Sequence, residues 1–245
     1  MTRPMALTVL TAAVIPAQAG PARVSCRQLL RVETPSWPST TGTLTLWTRE
    51  KSSDSWRSDG AAIPVTLGRN GLRWGRGLHA VPRGAPVKRE GDGCSPAGIF
   101  RLDFAFGSMP AAQSGALRWP WRQMTATHAG VDDPASRFYN RVVDAAAVKK
   151  DWNSAEDMMP KSGVYRRGII VQHNWNQTPN AGSCIFLHIR SRKPTAGCTA
   201  MREKDLIRLL AWLDPASQPL LVQLPAAEWS GRGAAWGFPP TAKSP

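Results

Sequence analysis

The chain has 245 residues and a formal net charge of +14, with 31 Lys and Arg against 17 Asp and Glu. That length holds one sizeable domain or two small ones. The basic residues are spread along the chain rather than gathered into a Lys/Arg block. No internal repeat stands out, and no apolar run is long enough to cross a bilayer.

Residues 1–19 read as a secretory leader: Arg3 supplies a basic start, residues 5–15 an apolar run, and Ala17-Gln18-Ala19 a small-x-small cleavage site. The mature chain is therefore expected in the periplasm as a soluble exported protein. Its basic charge points to anionic wall polymer or membrane surface rather than nucleic acid; a plain solvated basic face accounts for it equally well. After the leader, residues 28–32, 42–49 and 62–67 alternate as short strands separated by turn-forming stretches, which predicts an antiparallel β architecture. Residues 68–98 are glycine-rich but lack the Gly-Lys-Ser/Thr ending and following helix of a phosphate-cradling loop. Residues 99–102 read as a strand, and 103–167 as an irregular excursion covering a cleft.

Residues 168–174 form another apolar strand, joined by a loop containing Pro179, Asn180 and Gly182 to a further strand over 184–189. The connection predicts a hairpin that brings His173 or Asn174 near the strand end, either as substrate contacts or as structural groups. Along 184–189, Ile185, Leu187 and Ile189 share one face, while Cys184, Phe186 and His188 share the other. A loop then returns Cys198, preceded by Gly197, which permits a sharp turn and close approach to a ligand. A thiol beside an imidazole is the minimum equipment for nucleophilic acyl transfer, with His as base and the thiolate as attacking group. A neighbouring imidazolium lowers a cysteine pKa to roughly 3.5–7.5, and the N–H groups around Gly197 and Cys198 offer an oxyanion hole. Residues 202–213 carry Leu206, Ile207, Leu209, Leu210 and Leu213 at helical spacing, ending at Asp214-Pro215. Cys198 precedes that helix, whose N-terminus favours a thiolate. Residues 220–224 read as a closing strand, and 226–245 as a Gly/Pro-rich C-terminal tail.

The histidine ending an apolar strand, the loop, and Thr195-Ala196-Gly197-Cys198 together resemble the signature of the YkuD-type L,D-transpeptidase family. Asp92-Gly93-Cys94-Ser95-Pro96-Ala97-Gly98-Ile99-Phe100 resembles a second family segment that frames the sheet beside the active site. Ala196 stands where many members have histidine, and Thr199-Ala200-Met201 lacks the arginine often found after the cysteine. The resemblance implies Cys198 as nucleophile, His188 as general base and the Ile189 backbone carbonyl as the group that orients the imidazole. The residues themselves add Gly197 at the oxyanion hole and His173, Asn174 and Thr195 as candidate substrate contacts. The resemblance further implies a mainly β fold over 26–225, a β-sandwich with mixed sheets, one amphipathic helix after the cysteine and irregular covering loops. The implied activity is acyl transfer between peptidoglycan stem peptides, without metal or organic cofactor. Water or a protein lysine as acceptor would give a carboxypeptidase or an anchoring enzyme.

If Cys198 stays a free thiol, Cys26–Cys94 is the most economical disulfide; the rival pairing, Cys184–Cys198, would close the site and leave a non-catalytic wall-binding module. A zinc protein using His128, His173, His188, Cys184 and Cys198 is a third reading, against which the absence of CxxC or HExxH spacing counts.

Overall fold

The computed structural model describes residues 25–115 and 117–239; the leader at 1–19 lies outside them. Strands β1 (Gln28–Thr34) and β2 (Thr41–Thr48) pair antiparallel, with Leu30 opposite Leu46 and Val32 opposite Leu44, all four buried. β3 (Arg57–Ser58) and β4 (Ile63–Thr66) both pair with β2. β5 (Leu72–Trp74) runs parallel to the start of the long strand β6 (Ser95–Gly107), and β7 (Trp121–Gln123) runs parallel to its end. Inside the stretch read as an irregular excursion, β8 (His128–Val131), β9 (Arg141–Asp144) and β10 (Ala155–Asp157) make a separate sheet in the order β10-β8-β9. The chain returns through β11 (Arg167–Val171), β12 (Phe186–Ile189), β13 (Thr199–Met201), helix α1 (Glu203–Trp212) and β14 (Leu220–Pro225).

The main sheet follows the order β1-β14-β6-β11-β12-β13-β4-β2, and β2 pairs back onto β1. It therefore closes into a barrel-like ring, whereas the sandwich read from the sequence would leave two sheets with open edges. The ring is mixed: β1 with β14 and β12 with β13 are parallel, and the other neighbours on the path are antiparallel.

Strand alternation decides where the site lies. On β11 and the β12 segment, Ile169, Val171, Ile185 and Leu187 belong to the main core, which also takes Leu206, Leu209 and Leu210 of α1. The intervening Ile170, Cys184 and Phe186 point the other way, into a second cluster with Phe106, Met124, Met158 and Cys198. The small sheet closes over this second cluster: Gly130 on β8 leaves room for Cys184 Sγ, which would stand 3.2 Å from a Cβ built there. Two faces of one ribbon thus feed two clusters, the main core behind and the Cys198 cluster in front.

Two elements differ from their sequence readings. The strand read from residue 184 begins at Phe186, because Cys184 adopts a left-handed conformation (φ 51°) and donates its N–H to Asn140 Oδ1 at 3.0 Å. Within the C-terminal tail, residues 226–239 are anchored to the core through a tryptophan. Trp229 is fully buried, its Nε1–H donates to the Val32 carbonyl at 3.2 Å, and the Arg31 guanidinium stacks 4.1 Å from its ring centroid. A buried indole needs a partner for its N–H, and the Val32 carbonyl supplies it.

Candidate active site

Cys198 sits at the foot of β13, and its carbonyl is gripped from two sides. Thr195 Oγ1 donates to it at 2.6 Å and Ser95 Oγ at 3.0 Å. Each hydroxyl also accepts a backbone N–H, from Gly197 at 3.2 Å and Gly68 at 2.9 Å respectively. Thr199 Oγ1 donates to Gln223 Oε1 at 2.7 Å, and Gln223 Nε2 donates to the Pro96 carbonyl at 2.9 Å. Buried, saturated networks of this kind fix a backbone tightly. The thiol they aim accepts the Phe186 N–H at 3.3 Å and points its own proton at the Cys184 carbonyl, 3.5 Å away.

His188 lies on β12 opposite Ala200 of β13. Its Nδ1 is 2.8 Å from the Ile189 carbonyl, an oxygen that only accepts. The ring proton is therefore on Nδ1, and the lone pair is on Nε2. Tyr165 meets the imidazole edge to face, with centroids 5.2 Å apart. Burial lowers the His188 pKa to about 4 against the opposing pull of the Ile189 carbonyl. Burial, followed by the charge of Glu156, raises the Cys198 thiol well above its ordinary value. Both shifts favour a neutral thiol beside a neutral imidazole, not a thiolate stabilised by an imidazolium. Nor does the helix N-terminus reach the sulfur: β13 stands between Cys198 and α1, a span of roughly 10 Å along the strand.

His188 and Cys198 open onto one cavity of about 440 Å³, together with Thr195, Ala196 and Gly197. His173 and Asn174 do not line it. His173 is fully buried, with Nδ1 accepting the Arg76 N–H at 3.2 Å and Nε2 3.0 Å from the Ala181 carbonyl; burial drives its pKa to about 3. Asn174 binds Thr178 through both its amide and its carbonyl oxygen, and its amide also donates to Gly182. Both residues brace the 178–182 loop, because the turn after β11 rotates them into the protein. The Gly197 N–H, read as an oxyanion donor, is engaged by Thr195 Oγ1.

Sequence reasoning missed much of the cavity wall. Glu90, Asp132 and Glu156 line it as an acidic side. Glu90 accepts the Tyr139 hydroxyl and Glu156 accepts the Tyr165 hydroxyl. Burial pushes the Glu156 carboxyl up to about 7, against the lowering effect of that Tyr165 hydrogen bond. Lys88 also lines the cavity, buried and paired to Asp92 at 2.9 Å. A signal for part of this wall was present in the glycine-rich segment, which supplies Lys88, Glu90 and Gly91 to the lining and, in Cys94, a carbonyl 3.1 Å from a Cβ built on Gly197.

All four cysteines are free thiols. Cys26 Sγ donates to the Gln28 carbonyl at 3.1 Å and Cys94 Sγ to the Asn70 carbonyl at 3.3 Å, so the pairing read between them is not made. Cys184 Sγ donates to the Val131 carbonyl at 3.6 Å and stays apart from Cys198. Among the described residues, no group of three or more His, Cys, Asp or Glu side chains is placed to hold a metal ion, so the donors of the zinc reading do not converge. No helix among them is long and apolar enough to cross a membrane.

No curated protein and no solved structure matches the chain. The family model for the L,D-transpeptidase catalytic domain, YkuD, matches residues 39–222, a span that takes in β4, the glycine-rich segment, the small sheet and both strands flanking the thiol. On that match over most of its length, the chain belongs to the L,D-transpeptidase catalytic domain family, whose substrates are peptidoglycan.

Proposed function

We propose that the protein is an exported L,D-transpeptidase that remodels peptidoglycan through an acyl-enzyme on Cys198. The observation that carries this reading is the shared cavity: a buried thiol and an imidazole whose Nδ1 proton is committed to the Ile189 carbonyl, leaving Nε2 as a base. His188 Nε2 takes the proton of Cys198 Sγ as the sulfur attacks the carbonyl carbon of a donor stem peptide. The carbonyl electron pair moves onto oxygen and then returns. The C–N bond breaks, the departing amine takes the proton from His188, and a thioester remains. An amine of a second stem peptide then attacks the thioester, with His188 again removing the proton, and the new amide leaves Cys198 as the thiol. Thr195 acts by shaping the turn that presents the sulfur, and Ile189 by fixing the imidazole tautomer. The leader read at residues 1–19 supports a periplasmic location, where the polymer is found.

Reaction of the mature protein with a carbapenem, followed by intact mass measurement, tests this reading. A single adduct mapping to Cys198 and lost in Cys198→Ala is the expected result. An adduct that persists in Cys198→Ala, or D-alanine release by that variant, would overturn it.

A further inference from the structure

The cavity around Cys198 presents an electrostatic difficulty and, in Lys88, an answer to it. The sulfur is buried, and three carboxylates, Glu90, Asp132 and Glu156, share its cavity. Burial disfavours the thiolate first and Glu156 disfavours it next, while the Phe186 N–H and Lys88 act in the opposite direction. The imidazole of His188 rests neutral and contributes no charge before it takes a proton. The other thiol and phenol of this wall, Cys184 and Tyr165, are pushed upward too, and neither supplies positive charge. Gly197, expected to help hold an oxyanion, gives its N–H to Thr195. Arg69 also lines the cavity, but as an exposed side chain whose charge is screened by water.

Lys88 differs from Arg69 in being fixed. Its side chain is only 4% exposed and its Nζ donates to Asp92 Oδ1 at 2.9 Å. Asp92 is itself held by the N–H groups of Arg89 at 2.8 Å and Cys94 at 2.9 Å, so the whole turn orients one ammonium. That ammonium lies 3.4 Å from the position of a Cβ built on Gly197, the residue next to the nucleophile. A larger residue at 197 would crowd both Lys88 and the Cys94 carbonyl.

We propose that Lys88 is a further catalytic residue, the fixed cation that offsets negative charge at the reacting centre, first on Cys198 Sγ and then on the carbonyl oxygen of the bound donor. It gains and loses no proton in the cycle. The sulfur's proton goes to His188, the new C–S bond sends the carbonyl pair to oxygen, and Lys88 lowers the cost of both charged states by proximity. The inference rests on Cys198 being the nucleophile.

The test is the rate of Cys198 alkylation by iodoacetamide, a small neutral reagent, followed by peptide mass mapping from about pH 5 to about pH 10. It is run on the full mature chain as wild type, Lys88→Met and Lys88→Arg. In Lys88→Met the rate profile should move to higher pH, with the rate near neutrality falling about tenfold, which corresponds to a thiol pKa raised by about one unit. Lys88→Arg should stay close to wild type, because the charge is kept. Should Lys88→Met fail to fold, Lys88→Gln, which still donates to Asp92, carries the same expectation. An unmoved profile in the uncharged variant overturns the proposal, even if turnover of peptide falls, since a lysine that only binds a substrate carboxylate or stabilises the fold leaves the thiol's titration alone. A wild-type Cys198 inert to both iodoacetamide and a carbapenem would overturn the nucleophile itself, and the two failures are thereby told apart.

Discussion

Ser95 and Cys198, 103 positions apart in the chain, are joined by a hydrogen bond of 3.0 Å from the serine hydroxyl to the cysteine carbonyl. That bond ties the glycine-rich segment to the residue that carries the thiol. Ser95→Ala leaves the Gly68 N–H without its acceptor and the Cys198 carbonyl with Thr195 alone. A loss of about 1–3 kcal/mol in unfolding free energy is expected. Cys198 acylation should slow more than the stability change explains, because the sulfur is no longer aimed. Urea unfolding alongside carbapenem acylation rates checks both parts.

Removing the proposed base gives a second test. His188→Ala should fold, since the imidazole's polar partner is a carbonyl on the neighbouring residue, and should lower acylation at neutral pH by about 10²–10⁴. A variant that keeps wild-type acylation rates would exclude His188 from the proton transfer.

Acid stability follows from two buried histidines and one half-buried carboxyl. His188 and His173 have folded pKa values of about 4 and about 3, below the ordinary 6.5. In that window the unfolded chain binds more protons, so both make stability fall as pH drops below 6.5. Glu156 acts in the opposite sense. Raised to about 7 from 4.5, it holds a proton in the fold that the unfolded chain has lost, and stability falls as pH rises through that interval. Where the windows overlap, two histidines oppose one carboxyl. These three groups therefore give a net slope of roughly 1.4 kcal/mol per pH unit, rising with pH. Glu156→Gln should steepen that slope to roughly twice the value, measured by denaturant unfolding at a series of pH values.

Thiol counting tests the cysteine assignment. Unfolded without reductant, the protein should react with four equivalents of a thiol reagent, one for each free cysteine. Two equivalents would mean a disulfide that the fold does not make.

Trp229→Ala should cost about 3–5 kcal/mol, the range for truncating a buried aromatic, because the indole is fully buried and bonded to Val32. Truncation before residue 226 should destabilise as much. A thermal melt that left both variants unchanged would contradict the packing of this segment.

The strand–loop–cysteine unit was legible because a period-two apolar pattern ending in His188, followed by Gly197 and Cys198, is a local signal. The hairpin from β11 to β12 was legible for the same reason. What escaped depends on partners far away in the chain. Cys184 reads as strand until Asn140, 44 positions distant, accepts its N–H and holds it left-handed. In the sequence His173 and Asn174 stay open between substrate contact and structural group, because no local feature reveals that Arg76 and Ala181 enclose the imidazole. The acidic side of the cavity joins residues 90, 132 and 156, and Lys88 shares that lining only after β6 and β13 have brought their loops together. Trp229 read as tail because burial of an isolated tryptophan in Gly- and Ala-rich sequence leaves no periodic trace.

Closure of the main sheet has a consequence for how a peptide can be held. Each strand on the ring has a hydrogen-bonded neighbour on both sides, and the strands left at its margins, β3, β5 and β7, span 2, 3 and 3 residues. A peptide therefore cannot dock by lengthening this sheet, the route used wherever a long free edge is available. Whatever occupies the cavity must be gripped by side chains and loop backbone, so ligand preference can change through loop substitutions without disturbing the register of the barrel.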